Sequence, residues 1–503
     1  MTVDYVDVLI VGAGLSGVGA AVHLSKACPG KSYAILEGRP AMGGTWDIFR
    51  YPGIRSDSDM HTLGYSFKPW REAKSIADGP SILKYVRETA RDYGVETHVR
   101  YNHKVKSADW SSDAATWTVQ VERVDTGETI SYACNVLLMC AGYYSYDGGH
   151  APEFAGAERF KGPVVHPQAW PTDLDYDDKK VVVIGSGATA VTLIPAMAER
   201  AARVTMLQRS PSYVFSRPDK DAVANILRKF LPESWAYALT RWKNVTMQGA
   251  IYRKSRTDPQ KVKTMLLDAV RKQMGPHYDV ETHFTPRYNP WDQRLCLVPN
   301  ADLFAAIRGG KADVVTDQVD TFTETGITLK SGRTLDADII VTATGLTMVV
   351  MGEMTFSMDG VPVKFNDAWT YKGMMYSGVP NLISTFGYIN ASWTLRADLT
   401  SEYVCRLINH MDKTGTRTAT PTLRPGDDVM PARPWIEDFS SGYMQRAMDL
   451  LPKQGDRAPW INPQDYQRDK IMIRKGVMDD GLLVFANPVV ANDASAPMLQ
   501  AAE

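Results

Sequence analysis

The stretch VDVLIVGAGLSG, residues 6–17, predicts the fold of the chain. It opens with a short, mostly β-branched apolar run, which is typical of a buried parallel strand. Three glycines follow, and they suit a tight turn, a close approach of the backbone to a pyrophosphate and close packing of a helix on the strand: Gly12, Gly14 and Gly17. The helical pattern VGAAVHLSKA comes next, and its first amides can bind an anion. Strand, turn and helix in this order predict a dinucleotide-binding unit.

The second strand of this unit, SYAILE, ends in the acidic residue Glu37. A carboxylate at this position accepts hydrogen bonds from ribose hydroxyls of a bound dinucleotide. The first unit is therefore predicted to bind a dinucleotide with free ribose hydroxyls, such as FAD.

The same pattern recurs at KKVVVIGSGATAVTLIPAM, residues 179–197, with Gly185, Gly187 and Ala190 in the turn. Here the next strand ends in Arg209 and Ser210 instead of an acid. A guanidinium beside a hydroxyl suits a 2′-phosphate, which predicts NADP(H), although Arg209 could also be an ordinary surface charge. Two such units together indicate a flavoprotein that takes hydride from NADPH.

The predicted fold class is α/β, with two Rossmann-like domains, one for FAD and one for NADP, and a helical insertion. Two buried-strand runs, NVLLMCAG and DIIVTATG, end in glycine where such chains cross between domains. The predicted division is an FAD domain (1–144, with a second part and C-terminal region at 346–503), an NADP domain (145–220 and 290–345) and the insertion (221–289).

The insertion is locally basic, because residues 221–275 carry eleven Lys and Arg against four Asp and Glu. Three interpretations stay open: attraction of NADPH phosphates, a peripheral contact with an anionic membrane surface, or a solvated helix face.

Composition excludes several other classes of protein. The formal net charge of −1 over 503 residues gives no basis for nucleic-acid binding. The five cysteines are scattered without a C-x-x-C pair or zinc spacing, which argues against a disulfide framework, a flavin disulfide reductase and a metal site. The chain enters its first strand without a basic leader, and no apolar run approaches the roughly 18 residues of a membrane span. These features predict a cytoplasmic protein.

Two longer motifs carry a resemblance to a known family. FKGPVVHPQAWP, residues 160–171, matches F-x-G-x-x-x-H-x-x-x-W followed by Pro or Asp, and GGTWDIFRYPGIRSD, residues 43–57, matches G-x-W-x-x-x-x-Y-P-G-x-x-x-D. With these motifs the chain resembles the type I Baeyer–Villiger monooxygenases of the flavin-containing monooxygenase superfamily. RYPGIRSDSDM (50–60), VIGSGATAVTL (183–193) and YNPWDQRLCLVPN (288–300) make it most similar to the ethionamide-activating branch.

The resemblance implies a reaction. NADPH would reduce FAD, the reduced flavin would capture O₂ as a C4a-peroxyflavin, and oxygen would pass to a ketone, giving an ester or lactone, or to a sulfide or thioamide, giving an S-oxide. The implied partners are O₂ and a small apolar ketone or sulfide. An N-hydroxylating or simple flavin monooxygenase and a non-enzymatic FAD and NADPH-binding protein remain as alternatives.

The resemblance also assigns roles to residues. Arg294 would hold the negatively charged adduct and Asp57 would orient it, unless the two form an unrelated structural pair. His166 would be a hinge residue in a linker that moves with the NADP domain. The remaining members of the hinge motif are Phe160, Gly162 and Trp170. The remaining residues expected at FAD are Gly44, Thr45 and Trp46, together with Asp57, although Trp46 could equally be a core residue.

The chain departs from the family pattern next to the expected catalytic arginine. Gln293 stands where many members have a lysine that grips the 2′-phosphate, which leaves Arg209 and Ser210 as the other NADP contacts. In the segment 378–399, similarity to the flavin-ring loop places three residues at the substrate cavity: Asn390, Ser392 and Trp393.

Overall fold

A computed structural model describes residues 3–488 of the chain, apart from residues 428 and 438. The α-helices are α1 (Leu15–Ala27), α2 (Thr45–Ile48), α3 (Met60–Leu63), α4 (Gly79–Asp92), α5 (Ala188–Ala198), α6 (Ala222–Phe230), α7 (Glu233–Thr257), α8 (Pro259–Met274), α9 (Val280–Phe284), α10 (Asp302–Arg308), α11 (Trp393–Thr414), α12 (Gly442–Ala447) and α13 (Tyr466–Lys475). Short 3-10 helices are Val95–His98, Ala157–Arg159, Pro167–Ala169, Met351–Glu353, Phe365–Asp367 and Met448–Leu450.

The strands form two large sheets and several short ribbons. They are β1 (Asp4–Val11), β2 (Tyr33–Leu36), β3 (Val99–Arg100), β4 (His103–Ser111), β5 (Thr116–Arg123), β6 (Thr129–Met139), β7 (Val164–Val165), β8 (Lys180–Ile184), β9 (Arg203–Gln208), β10 (Val214–Arg217), β11 (Cys296–Pro299), β12 (Ala312–Thr316), β13 (Val319–Thr323), β14 (Gly326–Leu329), β15 (Thr334–Asp336), β16 (Ile339–Thr342), β17 (Thr355–Met358), β18 (Val361–Pro362), β19 (Thr370–Tyr371), β20 (Met375–Tyr376), β21 (Leu382–Ser384), β22 (Thr418–Pro421), β23 (Arg433–Pro434), β24 (Lys453–Gln454) and β25 (Leu483–Ala486).

The first sheet has the strand order β18-β17-β4-β5-β6-β1-β2-β3, and β21 also pairs with β6. Strands β3, β2, β1, β6 and β21 run parallel, whereas β5 is antiparallel to both β4 and β6. Val11 pairs with Leu36 on one side and with Met139 on the other, so three parallel strands end at the same edge. Ligands of such sheets bind at the carboxyl edge of the strands, where the first glycine turn lies.

The second sheet has the order β12-β9-β8-β16-β7 and is parallel throughout. Ile184, the last residue of β8, pairs with Leu207 and Thr342, so the second glycine turn also lies at a carboxyl edge. Both sheets contain a strand, glycine turn and helix in succession, β1-α1 and β8-α5. The predicted α/β class with two Rossmann-like units is confirmed.

Helices α6 to α9 lie within the segment predicted as an insertion, 221–289. Helix α7 packs on the first unit through polar contacts: the Tyr237 hydroxyl donates to the Tyr65 carbonyl at 2.9 Å, and Arg241 donates to the carbonyls of His61 and Gly64 at 2.9 and 2.8 Å. The limits of the domains stay predictions. In the described part of the chain, no helix is long and apolar enough to cross a membrane.

Helix α11 connects the C-terminal part of the chain to the first glycine turn. It packs along α1, and the Trp393 indole donates to the Ser16 hydroxyl at 2.8 Å. Its first turn therefore lies beside the edge at which the dinucleotide is predicted to bind.

Candidate active site

Steric limits at the first glycine turn explain its sequence. Gly12 has φ +103°, and a Cβ on it would lie 2.5 Å from the Cys140 carbonyl oxygen. A Cβ on Gly17 would lie 1.9 Å from the Gly12 carbonyl oxygen, so only glycine lets α1 pack this closely on β1. Gly14 precedes α1 without a capping hydrogen bond from any described side chain. The first amides of α1 are therefore free to bind a phosphate.

Glu37 is held beside this turn. Its side chain is only 2% exposed and accepts hydrogen bonds from the backbone amides of Ala13, at 2.9 Å, and Arg39, at 3.0 Å. Burial raises the pKa of Glu37, while the two amide donors oppose that rise by favouring the charged form. The two backbone amides hold the carboxylate in place. Its remaining lone pairs can accept hydrogen bonds from ribose hydroxyls.

The second turn is similar in backbone but more open. Gly185 has φ +144°, and a Cβ on it would lie 2.3 Å from the Ala343 carbonyl oxygen, whereas a Cβ on Gly187 would meet nothing within 4 Å. The Ser186 hydroxyl donates to the Ser210 carbonyl at 2.9 Å, which joins the turn to the end of β9. Ala190 is fully buried in α5. The open Cβ position leaves room for a ligand phosphate at this turn.

Arg209 follows β9 at the position predicted to recognise the 2′-phosphate. Its side chain is exposed and makes no ion pair or hydrogen bond with another described residue. Ser210 beside it is exposed as well. A guanidinium next to a glycine turn fits a phosphate ligand when, as here, no carboxylate of the described residues pairs with it.

A cleft runs between the two units, and of the two glycine turns only the first belongs to its lining. The first unit contributes the start of α1, the motif around α2 and the stretch after β6, and the second contributes the first turns of α5. Its lining includes Gly12, Gly14, Gly44, Thr45, Trp46, Tyr51, Arg55, Asp57, Tyr143, Tyr144, Gln168, Ala188, Thr189, Arg294, Leu297, Leu346 and Trp393. Dinucleotides bound at the two turns would approach each other in this cleft.

Arg294 and Asp57 form an ion pair inside the cleft. The Arg294 Nε lies 2.9 Å from Asp57 Oδ2, and about a third of each side chain is exposed to the cleft. The charge of Asp57 is the largest cause of a raised pKa of Arg294, which therefore stays a fixed cation. The pair joins the FAD unit to a segment of the predicted NADP domain.

Aromatic side chains form a wall beside this pair. Tyr143 stacks on Trp393 with ring centroids 4.9 Å apart, and its hydroxyl is hydrogen bonded to that of Tyr144. Burial raises the pKa of Tyr143, and the positive charge of Arg294 opposes the rise. The tyrosines stay neutral, so they add no charge of their own beside Arg294.

The hinge motif holds the linker through His166. Its Nε2 lies 3.1 Å from the Gly345 carbonyl oxygen, and its Nδ1 accepts from the backbone amide of Gln168 at 3.2 Å. Both contacts suit the neutral ring protonated at Nε2. Burial lowers the pKa of His166, which favours that neutral form. The side-chain amide of Gln168 donates to the Ser145 carbonyl at 2.6 Å, so the motif contacts both segments that connect the two units.

The other motif residues serve packing. Phe160 is buried and contacts Phe322 edge to face, with centroids 6.4 Å apart. A Cβ on Gly162 would lie 2.1 Å from the Asp338 carbonyl oxygen, so the chain passes close to its neighbour there. Trp170 is half-buried against the core of the second unit.

Two residues expected at the substrate cavity do not line the cleft. The Asn390 amide donates to the Gln464 carbonyl at 2.9 Å, and the Ser392 hydroxyl lies 2.6 Å from that of Thr62, both in buried surroundings. These hydrogen bonds turn the two side chains away, and only Trp393 of the three predicted residues lines the cleft. Gln293 also does not belong to the lining.

Sequence reasoning missed several lining residues. Tyr143 and Tyr144 directly follow the crossover CAG, where their position after a buried strand is the available signal. Thr189 also lines the cleft and lies inside the second glycine motif. Tyr51 lines the cleft beside it, and burial raises the pKa of the Tyr51 hydroxyl to about 12. Arg55 pairs with Asp302 across the two units, a contact that no sequence pattern indicates.

Family comparisons agree with this geometry. Residues 72–410 match the model described as flavin-binding monooxygenase-like, and residues 10–78 match an NAD(P)-binding Rossmann-like domain. The chain belongs to the flavin-binding monooxygenase-like family. It is an NADPH-dependent, FAD-containing monooxygenase that uses O₂ and a small-molecule substrate, and the predicted cofactors are confirmed.

The similarity to individual relatives extends over nearly the whole chain. The FAD-containing monooxygenase EthA of Mycobacterium tuberculosis is 56% identical over 484 residues, which cover 96% of this chain and 98% of the relative. EthA of Mycolicibacterium smegmatis is 53% identical over 493 residues, covering 98% and 99%. The resemblance stated from the motifs is therefore confirmed.

Solved structures support the fold. A steroid monooxygenase bound to NADP superimposes with a TM-score of 0.78 at 23% identity, covering 96% of this chain and 100% of that one. An open structure of cyclohexanone monooxygenase gives a TM-score of 0.71 at 19% identity, covering 83% and 90%.

Proposed function

We propose that this monooxygenase inserts oxygen beside the carbonyl of small apolar ketones, giving esters or lactones, and oxidises sulfides or thioamides to S-oxides. One atom of O₂ enters the product, and the other leaves as water with the hydride of NADPH and a proton. One of the fold neighbours is a cyclohexanone monooxygenase, and cyclohexanone is a small apolar ketone. The aromatic wall of the cleft suits an apolar substrate.

The Arg294 and Asp57 ion pair is the observation that carries the proposal. It lies in the cleft that the first glycine turn and the first turns of α5 line. A bound flavin would supply activated oxygen there, and the reaction develops negative charge on oxygen atoms. The guanidinium cannot lose its proton, so it supplies fixed positive charge without reorganisation, and Asp57 holds it in place.

The cofactors fit the residues present at both turns. FAD would be held by the first glycine turn, by the uncapped first amides of α1 and by the buried carboxylate of Glu37. NADP(H) would be held by the start of α5 and by Arg209. The stacked Tyr143 and Trp393 would exclude water from the reacting centre.

His166 supports a mechanical role for the linker. With FAD and NADP(H) bound, the nicotinamide and the substrate would both need access to the flavin, so we expect the second unit to shift. The hydrogen bonds of His166 to the linker and to Gly345 join the two chain crossovers at which such a shift would occur.

Replacement of the active-site arginine tests the proposal. We expect Arg294→Ala to keep FAD bound and to lower ester formation from a ketone panel by at least about a hundredfold, since one electrostatic partner contributes on the order of 3 kcal/mol. NADPH oxidation should continue, with its electrons released as hydrogen peroxide. Mass analysis of products from ketones and sulfides measures the loss.

Arg294→Lys is the matched control, because it keeps the charge and loses only the planar fork; it should retain part of the activity. Undiminished ester yield in Arg294→Ala would show that another cation does this work. If the wild-type protein oxidises only amines, the alternative of an N-hydroxylating or simple flavin monooxygenase holds instead.

A further inference from the structure

The helical insertion presents an apolar surface to solvent. Helix α6 exposes residues at the spacing i, i+3, i+7, and α7 exposes residues at i, i+4, i+7, which place each set on one stripe of its helix. We name these stripes together the insertion face: Val223, Ile226 and Phe230 on α6, with Trp235, Leu239 and Trp242 on α7. Phe230 is 80% exposed, and Trp235 and Trp242 are each 67% exposed.

The two stripes lie side by side because α6 and α7 form an antiparallel hairpin. The chain reverses at residues 231–232, and Asp221, which caps the start of α6, binds back to the middle of α7. Lys243 Nζ donates to its carboxylate at 2.7 Å, and the Asn244 amide donates to it at 3.3 Å. The apolar stripes therefore lie on two neighbouring helices.

The opposite side of α7 is fixed to the first unit. Tyr237 and Arg241 make the hydrogen bonds to the segment after Asp57 that hold the helix, and Asn244 is buried. The helix cannot rotate to bury its Trp residues without breaking these contacts. An exposed apolar surface of this kind in an otherwise folded protein marks a site of interaction.

Charge around the insertion face identifies the partner. Residues 221–275 carry eleven Lys and Arg against four Asp and Glu. Lys220 and Lys229 are exposed near the ends of the α6 stripe, and Arg253 is exposed farther along α7 than Trp242. A second copy of the chain would bring these cations against one another. An anionic lipid surface complements them, and indole rings favour the membrane and water interface.

We propose that the insertion face docks the protein peripherally on anionic lipid bilayers. Phe230 and the two Trp side chains would enter the headgroup boundary, while Lys229 and Arg253 bind lipid phosphates. The proposal is independent of the substrate of the enzyme.

Vesicle co-sedimentation of the FAD-loaded full chain tests it. Wild-type protein should pellet with vesicles of equal parts phosphatidylglycerol and phosphatidylcholine, and much less with phosphatidylcholine alone. We expect Trp235→Ser with Trp242→Ser to lower the partition coefficient about tenfold or more, because the inserted apolar area is lost. Lys229→Gln with Arg253→Gln should lower it severalfold on the anionic vesicles and weaken its salt dependence.

Ile471→Ser with Val477→Ser is the matched control, since these side chains are 61% and 68% exposed outside the insertion. It should bind vesicles as the wild type does, and NADPH oxidation in buffer should confirm that all variants are folded. Equal pelleting of the Trp variant and the wild type, or no wild-type pelleting, overturns the proposal. A wild-type dimer that the Trp variant loses, without vesicle binding, would assign the face to self-association instead.

Discussion

The two glycine turns have a similar backbone conformation, but their charged residues differ in burial and in the number of protein groups that contact them. At the first turn, Glu37 is buried and already bonded to two amides, and Gly17 leaves no room for a methyl group. At the second, Arg209 is exposed and Ala190 takes the place of the third glycine. A preformed, enclosed site suits a cofactor that stays bound, whereas an open site with an unpartnered cation suits one that exchanges.

This difference follows from the chemistry of the two groups. A carboxylate at a strand end must be held by donors when it is buried, because burial disfavours its charge. A guanidinium that remains in solvent needs no such partner and is available to a phosphate. The comparison predicts that equivalent substitutions in the two turns will have unequal effects.

The largest inequality is expected at the third position of the two turns. Gly17→Ala would place a methyl carbon against the Gly12 carbonyl oxygen, which forces α1 off β1, so the folded and FAD-loaded yield should be abolished. The reverse change in the other unit, Ala190→Gly, should cost only about 1 kcal/mol of helix stability. Absorbance of bound flavin and thermal unfolding measure both. Normal flavin content in Gly17→Ala would contradict the steric argument.

A smaller and selective effect is expected at the two strand ends. Arg209→Ala should raise the KM for NADPH roughly thirtyfold, since a charge-assisted hydrogen bond contributes about 2 kcal/mol, and should leave the KM for NADH unchanged. Glu37→Gln should instead weaken FAD retention without changing the ratio of the two KM values. An equal rise of the KM for NADPH and the KM for NADH in the Arg209 variant would contradict the assignment of the second glycine turn to NADP(H).

The smallest effect is expected at the joint between the units. His166→Ala should slow flavin reduction and oxygen transfer together, by severalfold, because a loosened linker affects both positions of the second unit. His166→Asn keeps a side-chain acceptor for the Gln168 amide and should restore much of both rates. Stopped-flow measurement separates the two half-reactions. Slowed oxygen transfer with normal reduction would indicate a catalytic base.

The pH dependence of the joint has a defined sign. The folded-state pKa of His166 is lowered, so its neutral form contributes stability above the pKa of a free imidazole. That contribution is lost as the pH falls through the folded-state pKa, because a protonated Nδ1 cannot accept from Gln168. Both rates of the wild type should decline at acidic pH, and the part of the decline due to His166 should be absent in His166→Asn.

Much of the molecule was accessible from the sequence. The two strand-turn-helix units, the acid at Glu37 and the cation at Arg209 follow from local patterns, because steric limits on a tight turn act between residues close in the chain. The pairing of Arg294 with Asp57 was accessible only through resemblance to a family. The structure shows that Arg294 and Asp57 form an ion pair with 2.9 Å between Nε and Oδ2, and the catalytic role of this pair is a proposal.

Only the tertiary structure determined the direction in which several side chains point. Asn390 and Ser392 belong to the segment predicted to line the substrate cavity, but their side chains face Gln464 and Thr62. Buried polar groups need hydrogen-bond partners, and these partners come from segments that are distant in the sequence. The insertion face is a similar case. The sequence predicted a helical, locally basic insertion, and only the packing of α7 on the first unit determined which side of that helix remains in solvent. Local sterics fix turns, whereas long-range competition for burial and hydrogen bonds fixes which groups meet in a site.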